Sequence, residues 1–170
     1  KAHFPRHFFM AYLKFAKDKI DPLQEIQELI SNANQMDIEV KKPSLQKPAK
    51  EFFIAKDGPI YFGLTNIKGV GNSVFDKIKI IMSDLDIVNM NFGQIYHKLL
   101  RNINSTAAKA LLSIGAVDHI TISRTKMLFY YELLNNLTNR EVEIIAEQFD
   151  TEEDLTKILE YLLDNPNKKI

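Results

Sequence analysis

Along the first 36 residues the apolar positions recur with a helical period. Phe8, Phe9, Tyr12, Leu13, Phe15 and Ala16 predict a helix over 6–19, entered through Pro5, which suits a first turn. Asp21-Pro22 pairs an N-cap residue with proline at the first helical position. Leu23, Ile26, Leu29, Ile30 and Ala33 then lay one apolar face along a helix ending near Met36. Ile38-Glu39-Val40 and Phe52-Phe53-Ile54 read as short strands separated by Pro43 and Pro48. Lys56-Asp57-Gly58-Pro59 is a turn into Ile60-Tyr61-Phe62, so a β-hairpin is predicted over 51–62.

Beyond that point only helices are predicted, over 73–83, 92–101, 105–114, 124–137, 140–149 and 152–164. Ser73, Ser105, Ser123, Thr138 and Thr151 are the expected N-caps. Thr138-x-x-Glu141 fits a capping box and Thr151-x-x-Asp154 a looser version. Gly115 stands where a left-handed residue ends a helix, and Asn165-Pro166 closes the last one, leaving a frayed 167–170. The expected fold class is mainly α with one small β-hairpin.

Composition narrows the chemistry. The 170 residues are 45% hydrophobic and 26% charged, a folded rather than disordered balance. With no cysteine, disulfides, thiolate zinc sites and a cysteine nucleophile are excluded. No run of about 18 apolar residues is present to span a bilayer. The start, Lys1-Ala2-His3-Phe4-Pro5, has neither an initiator Met nor a signal peptide's apolar core, and reads as part of a longer, cytoplasmic protein. The zero net charge hides a division. Residues 1–56 and 57–127 each carry +3, whereas 128–170 carry −6. A basic body with an acidic end is compatible with a polyanion-binding surface in the first three-quarters.

The sharpest local signal is glycine. Four of the six glycines fall between 58 and 71, ending in Ile67-Lys68-Gly69-Val70-Gly71-Asn72-Ser73-Val74 just before an amphipathic helix. Such a turn lets the backbone pass through positive φ and lets a partner approach without a Cβ in the way. Its amides and the free N–H groups of the next helix suit one phosphate. A P-loop lacks its Lys-Ser/Thr here. A dinucleotide fingerprint lacks its third glycine, since Val74 stands there, and lacks the βαβ context. What remains is a helix-hairpin-helix unit, with Ile67, Val70 and Val74 packed inward and the Lys68–Ser73 backbone facing a phosphodiester. A second, glycine-free hairpin follows. Phe92–Leu100 is its first helix, Arg101-Asn102-Ile103-Asn104 its connection and Ser105–Ile114 its second helix, with asparagines as candidate left-handed residues.

At this point the chain resembles the α subunit of bacterial or phage DNA polymerase III, the C-family replicative polymerase. Lys1–Ala11 is similar to the helix closing that family's main fingers region, and Ile38–Leu45 to a stretch that usually ends in paired prolines. Tyr61-Phe62-Gly63-Leu64-Thr65-Asn66-Ile67-Lys68-Gly69-Val70-Gly71 is close to its Gly-Leu-x-x-Ile-Lys-Gly-Val-Gly. Leu111-Leu112-Ser113-Ile114-Gly115-Ala116-Val117-Asp118 resembles its Leu-Ile-x-x-Gly-Ala-Phe-Asp. The likeness covers about residues 1–135. Lys42-Pro43-Ser44 replaces the paired prolines, Val117 the aromatic, and Arg101 stands alone where a basic run is common.

The resemblance implies an end of the fingers over 1–50, a tandem helix-hairpin-helix unit over 51–120 and a helical appendage over 121–170. It implies duplex binding through the sugar–phosphate backbone, by Lys68, Gly69, Val70, Gly71, Asn72, Ser73 and Lys77 in the first hairpin. Arg101, Asn104, Ser105 and Lys109 would serve in the second. The expected partners are primer–template double-stranded DNA, the remainder of the polymerase chain and, through 138–170, replisome proteins, with no membrane. The parent nucleotidyltransferase would need Mg²⁺. This fragment, lacking the catalytic palm, is expected to hold no cofactor, metal or catalytic residue.

Other candidates have plainer readings. The carboxylates from Glu147 to Asp154 suit helix starts better than a metal. His3 and His7 flank Pro5, and His97 and His119 have no triad partner at a recognisable spacing. Phe8, Phe9, Tyr12 and Phe15, like the run Met127–Tyr131, are expected in the core. The alternatives are a replisome interaction domain with vestigial hairpins, and an enzyme such as a nuclease or glycosylase with Lys77 or Lys79 in its site.

Overall fold

A computed structural model of the chain describes residues 4–56 and 58–167. The expectations resting on His3, Asp57 and the last three residues lie outside these. The fold is mainly α, as predicted. Helix α1 (Pro5–Ala16) and α2 (Pro22–Gln35) pack on each other, and Asp21 caps α2 by accepting from Gln24 N at 3.2 Å. Helix α1 stops three residues short of prediction, in a turn where Asp18 N and Lys19 N bond back to Phe15 O and Ala16 O.

Strands β1 (Val40–Lys41), β2 (Phe53–Ile54) and β3 (Ile60–Tyr61) form a small sheet in the order β1-β3-β2. The predicted hairpin is present: β2 and β3 are antiparallel, with Phe53 opposite Tyr61 and Ile54 opposite Ile60. A parallel partner adds to it, Val40 of β1 pairing with Ile60. Then come a 3-10 turn at Leu64–Asn66, α3 (Asn72–Met82), a 3-10 turn at Ile87–Asn89, and α4 (Phe92–Lys98). A third 3-10 turn at Leu100–Asn102 leads to α5 (Ser105–Ile114), α6 (Arg124–Asn135), α7 (Asn139–Gln148) and α8 (Glu152–Asp164). No helix among the described residues is long and apolar enough to cross a membrane.

One core runs through these elements. Leu13, Leu45, Phe52, Ile60, Leu64, Ile78, Phe92, Ile95, Leu99, Leu100, Leu111 and Tyr130 are its most enclosed large side chains. Each stabilises the fold by about 1.5–3 kcal/mol relative to exposure, so the small sheet and both hairpins are fixed by burial rather than by their few ladder bonds. Of the N-terminal aromatic cluster only Phe9 is buried. Phe8 is partly covered, and Tyr12 and Phe15 are exposed. The core takes the stripe Phe9, Leu13, Ala16 instead. On α6, Met127, Tyr130 and Tyr131 are buried as expected, but Phe129 faces outward.

The acidic helices pack into the same body. Helix α7 lies against α4, and α8 against α4 and α6. The start of α4 is the junction: Asn91 Nδ2 donates to Phe149 O, and Phe92 N donates to Glu152 Oε2 at 3.1 Å. Thr138 and Glu141 form the predicted capping box, and Thr151 caps α8. Gly115 ends α5 at φ +88, as predicted. Just beyond it Asp118 accepts from Arg124 Nε at 2.9 Å, which ties the end of α5 to the start of α6. The Arg124 guanidinium holds the Asp118 carboxyl below its ordinary range.

Candidate nucleic-acid interface

The first hairpin is held from below by a buried amide. Asn66, 6% exposed, accepts from Phe52 N at 3.1 Å, while Thr65 donates to Lys50 O through its N–H at 2.9 Å and its hydroxyl at 2.6 Å. These bonds fasten the turn to the segment preceding β2. Ile67 and Val70 are buried, Val74 is partly buried, and Val70 N closes the turn on Ile67 O at 3.0 Å. The side chain of Val70 is therefore an anchor rather than a surface contact. Lys68, Gly69, Gly71, Asn72, Ser73 and Lys77 are exposed.

The two glycines have different duties. Gly69 alone is at positive φ, +96, and a Cβ there would stand 3.0 Å from Thr106 Cγ2 at the start of α5. That contact brings the two hairpins together. Gly71 has an ordinary extended backbone, φ −87 and ψ 177, and a Cβ there would meet nothing within 4 Å. It is the N-cap of α3, so the helix starts earlier than its predicted cap Ser73. The reason is that an extended backbone, here from glycine, suffices to begin a helix without a capping side chain. No side chain satisfies the first N–H groups of α3, which therefore face open surface.

The second hairpin repeats the plan one residue at a time. Leu100 and Ile103 are buried like Ile67 and Val70, and Arg101 is exposed like Lys68. Asn104 stands at the place of Gly71. It, not Ser105, is the N-cap of α5, and its side chain accepts from Ala107 N at 2.8 Å. Neither asparagine substitutes for a left-handed glycine: among the described residues Asp37 is the one non-glycine at positive φ. Asn102 instead donates to Lys98 O at 2.9 Å and so caps the end of α4.

The cations are not equivalent either. Lys68, Lys77 and Arg101 make no ion pair among the described residues. Lys109 is paired with Glu132 of α6, which raises its pKa through that hydrogen bond. His97 lies on α4 near Arg101. Burial and the Arg101 charge push its pKa down, so its ring is mainly neutral at pH 7. No three or more His, Asp or Glu side chains among the described residues stand together as a metal site. Asn66 and Asn91 also shape the site, and neither belongs to the glycine pattern or to the expected N-caps. Asn91-x-x-Gln94 was the available signal, and it forms a reciprocal capping box at the start of α4.

The family model of the helix-hairpin-helix motif matches residues 37–127 of this chain. The chain is similar to the DNA polymerase III subunit alpha of Aquifex aeolicus, 30% identical over 155 residues that cover 87% of this chain and 12% of the relative. The Buchnera aphidicola protein of the same name is 34% identical over 132 residues, 75% of this chain and 11% of its own length. That of Treponema pallidum is 25% identical over 170 residues, 95% of this chain and 14% of its own. The chain thus spans about an eighth of the length of the curated relatives it matches. It belongs to the helix-hairpin-helix family and, across most of its length, is a relative of part of the DNA polymerase III α subunit.

Proposed function

We propose that this chain is a non-catalytic part of a replicative DNA polymerase that grips the backbone of primer–template duplex without regard to sequence. The observation that carries this reading is Gly71. Neither its backbone angles nor its neighbours require glycine, yet it opens α3 with bare, uncapped amides. A glycine with no structural need for one is explained by a partner that must come close, and amide donors at a helix start suit a phosphate oxygen. Lys68 and Lys77, exposed and without ion pairs among the described residues, add charge beside them. Amides and lysines position a duplex but read no base edge, so binding is sequence-independent. The carboxylates at Asp150–Asp154 do not suggest catalysis, because Glu152 and Asp154 are engaged at the starts of α4 and α8. The alternative of a protein-interaction module gains less support, since Val142, Ile145, Leu155, Leu159 and Leu162 of α7 and α8 are already buried, leaving Tyr161 and Leu163 as the exposed large apolar side chains of α8.

The test is Gly71→Asn, which copies Asn104 into the first hairpin. An asparagine N-cap is at least as good as glycine, so the fold is kept, while a side chain now occupies the amides and the space above them. Scrambled duplexes should all lose affinity for this variant alike. The parent's log–log salt dependence should have a slope of about −2 to −4, and Lys68→Ala should flatten it by about one. Unchanged binding by a folded Gly71→Asn protein would make the hairpin a mere turn. Primer extension by the parent with Mg²⁺ and nucleotides would refute the non-catalytic assignment.

A further inference from the structure

Beside the second hairpin lies a cleft of about 370 Å³ whose exposed lining is almost wholly polar. Arg101 and Asn102 reach it from the hairpin, Tyr96 from α4, Asn135 from the last position of α6 and Asn139 from the first position of α7. Tyr96 Oη donates to Asn135 Oδ1 at 2.6 Å. With its oxygen engaged by Tyr96, the Asn135 amide has its NH₂ group left to donate. Burial, then Tyr131, hold the Tyr96 phenol above its ordinary pKa, with the Arg101 charge acting in the opposite sense, so Tyr96 stays protonated. Asn102 uses its NH₂ on the end of α4 and serves as wall. Asn139 has no side-chain hydrogen bond and Arg101 no ion pair among the described residues. No carboxylate lines the cleft.

One unpaired guanidinium beside amide donors selects for an anion. A cation would be repelled by Arg101, and an apolar guest would leave the amides unpaired. We propose that this cleft is a separate phosphate seat, in which Arg101, Asn135 and Asn139 hold one backbone phosphate of duplex DNA, so that the α6–α7 turn belongs to the nucleic-acid surface. This rests on the duplex-binding reading above. The seat answers a local deficit: Asn104 already occupies an amide at the start of α5, so the second hairpin has less main chain to offer than the first.

The test uses the whole chain. Asn139→Asp places a negative charge in the cleft at the first position of a helix, where acidic residues favour the fold. Gln27→Glu, on the exposed face of α2, adds the same charge outside the cleft. Asn139→Asp should weaken scrambled-duplex binding roughly tenfold at low salt with an unchanged melting temperature. Gln27→Glu should change it by about twofold or less, because a distant surface charge is screened. Arg101→Gln should flatten the salt slope by about 0.9. Equal effects of Asn139→Asp and Gln27→Glu in a parent that binds duplex would overturn the seat and leave the first hairpin's role standing. If the parent binds no duplex, the duplex reading fails, and inorganic phosphate decides the cleft by itself. Shifts of the Asn135 and Asn139 side-chain amide signals in NMR, abolished by Asn139→Asp, would keep it as an anion site. Their absence would remove it.

Discussion

Gly71 and Asn104 hold the same station in the two hairpins, and each starts its helix from an extended backbone, at φ/ψ of −87/177 and −67/153. Around them the buried pairs Ile67/Val70 and Leu100/Ile103 and the exposed cations Lys68 and Arg101 repeat. The difference is who satisfies the helix start. Asn104 closes α5 with its own side chain, so that hairpin is complete as a structural corner. Gly71 leaves α3 open, which a structure needing only stability gains nothing by doing. On the duplex-binding proposal, one hairpin keeps its amides for an incoming acceptor and the other uses one on its own cap, and the motif's shape alone does not separate them.

The largest effect expected from breaking this asymmetry is at Gly69. Its φ of +96 is hostile to any side chain, and a Cβ would press on Thr106 at 3.0 Å. Gly69→Val should destabilise the fold by about 1–3 kcal/mol, seen as a lowered urea midpoint with unchanged slope. Asn102→Val at the matching place in the second hairpin meets no positive φ and loses only the cap on α4. If both substitutions destabilise equally, the two turns do not differ in the way their backbones indicate.

Next comes Asn104. Replacing it with alanine removes the bond to Ala107 N and should cost about 0.5–2 kcal/mol, whereas Asn104→Gly should cost only a few tenths. The glycine variant is the informative one, because it opens α5 as α3 is open. Duplex binding should rise in Asn104→Gly if bare amides are what the backbone seeks. A fall in affinity without unfolding would mean that Asn104 touches the partner itself.

How much of this was legible beforehand depends on distance along the chain. The bounds of α5 and α8, the β-hairpin and the Thr138 capping box follow from local pattern, and they match. Helix α1 carries two apolar stripes, Phe8-Tyr12-Phe15 and Phe9-Leu13-Ala16, with the same spacing. Which one is buried depends on α2 and β2, so local periodicity has no means of choosing. The parallel pairing of Val40 with Ile60 is likewise a product of packing between distant segments. At the site, the glycine cluster located the first hairpin correctly, and the expected caps erred by one position in α5 and two in α3. The pairing of Lys109 with Glu132 was invisible, because it joins α5 to α6 across an intervening loop.

A smaller effect probes the support beneath the second hairpin, which comes from a carboxylate of α8 where the first hairpin rests on the amide of Asn66. Glu152 reaches from α8 to the start of α4, accepting from Phe92 N through Oε2 while Oε1 is buried without a partner. Burial raises its pKa above 4.5, against the opposing hydrogen bond from Phe92 N. The folded state therefore binds this proton more tightly than the unfolded chain. The group's stabilising contribution is full below the unfolded pKa and is lost as pH rises from there through the raised folded value. Glu152→Gln should melt higher than the parent at pH 7, with the gap narrowing towards pH 4. A gap that widens on acidification would show that the carboxylate charge, rather than its burial, governs this contact.

The smallest effect is at Lys109, the cation that its ion pair removes from the comparison. Both partners are about half exposed, at 47% and 54% of their side-chain surface, so water screens the pair and it carries little weight in the fold. Its meaning is for binding: a lysine neutralised by Glu132 has no net charge to offer a phosphate. Lys109→Ala should therefore leave the salt slope nearly unchanged, in contrast to the unit lost with Lys68→Ala. Glu132→Gln should release Lys109 and steepen the slope by up to about 0.9, raising affinity at low salt and converging with the parent at high salt. Equal losses from Lys109→Ala and Lys68→Ala would mean that DNA displaces Glu132 on binding. The second hairpin would then be a contact that the duplex itself opens, rather than one held closed by α6.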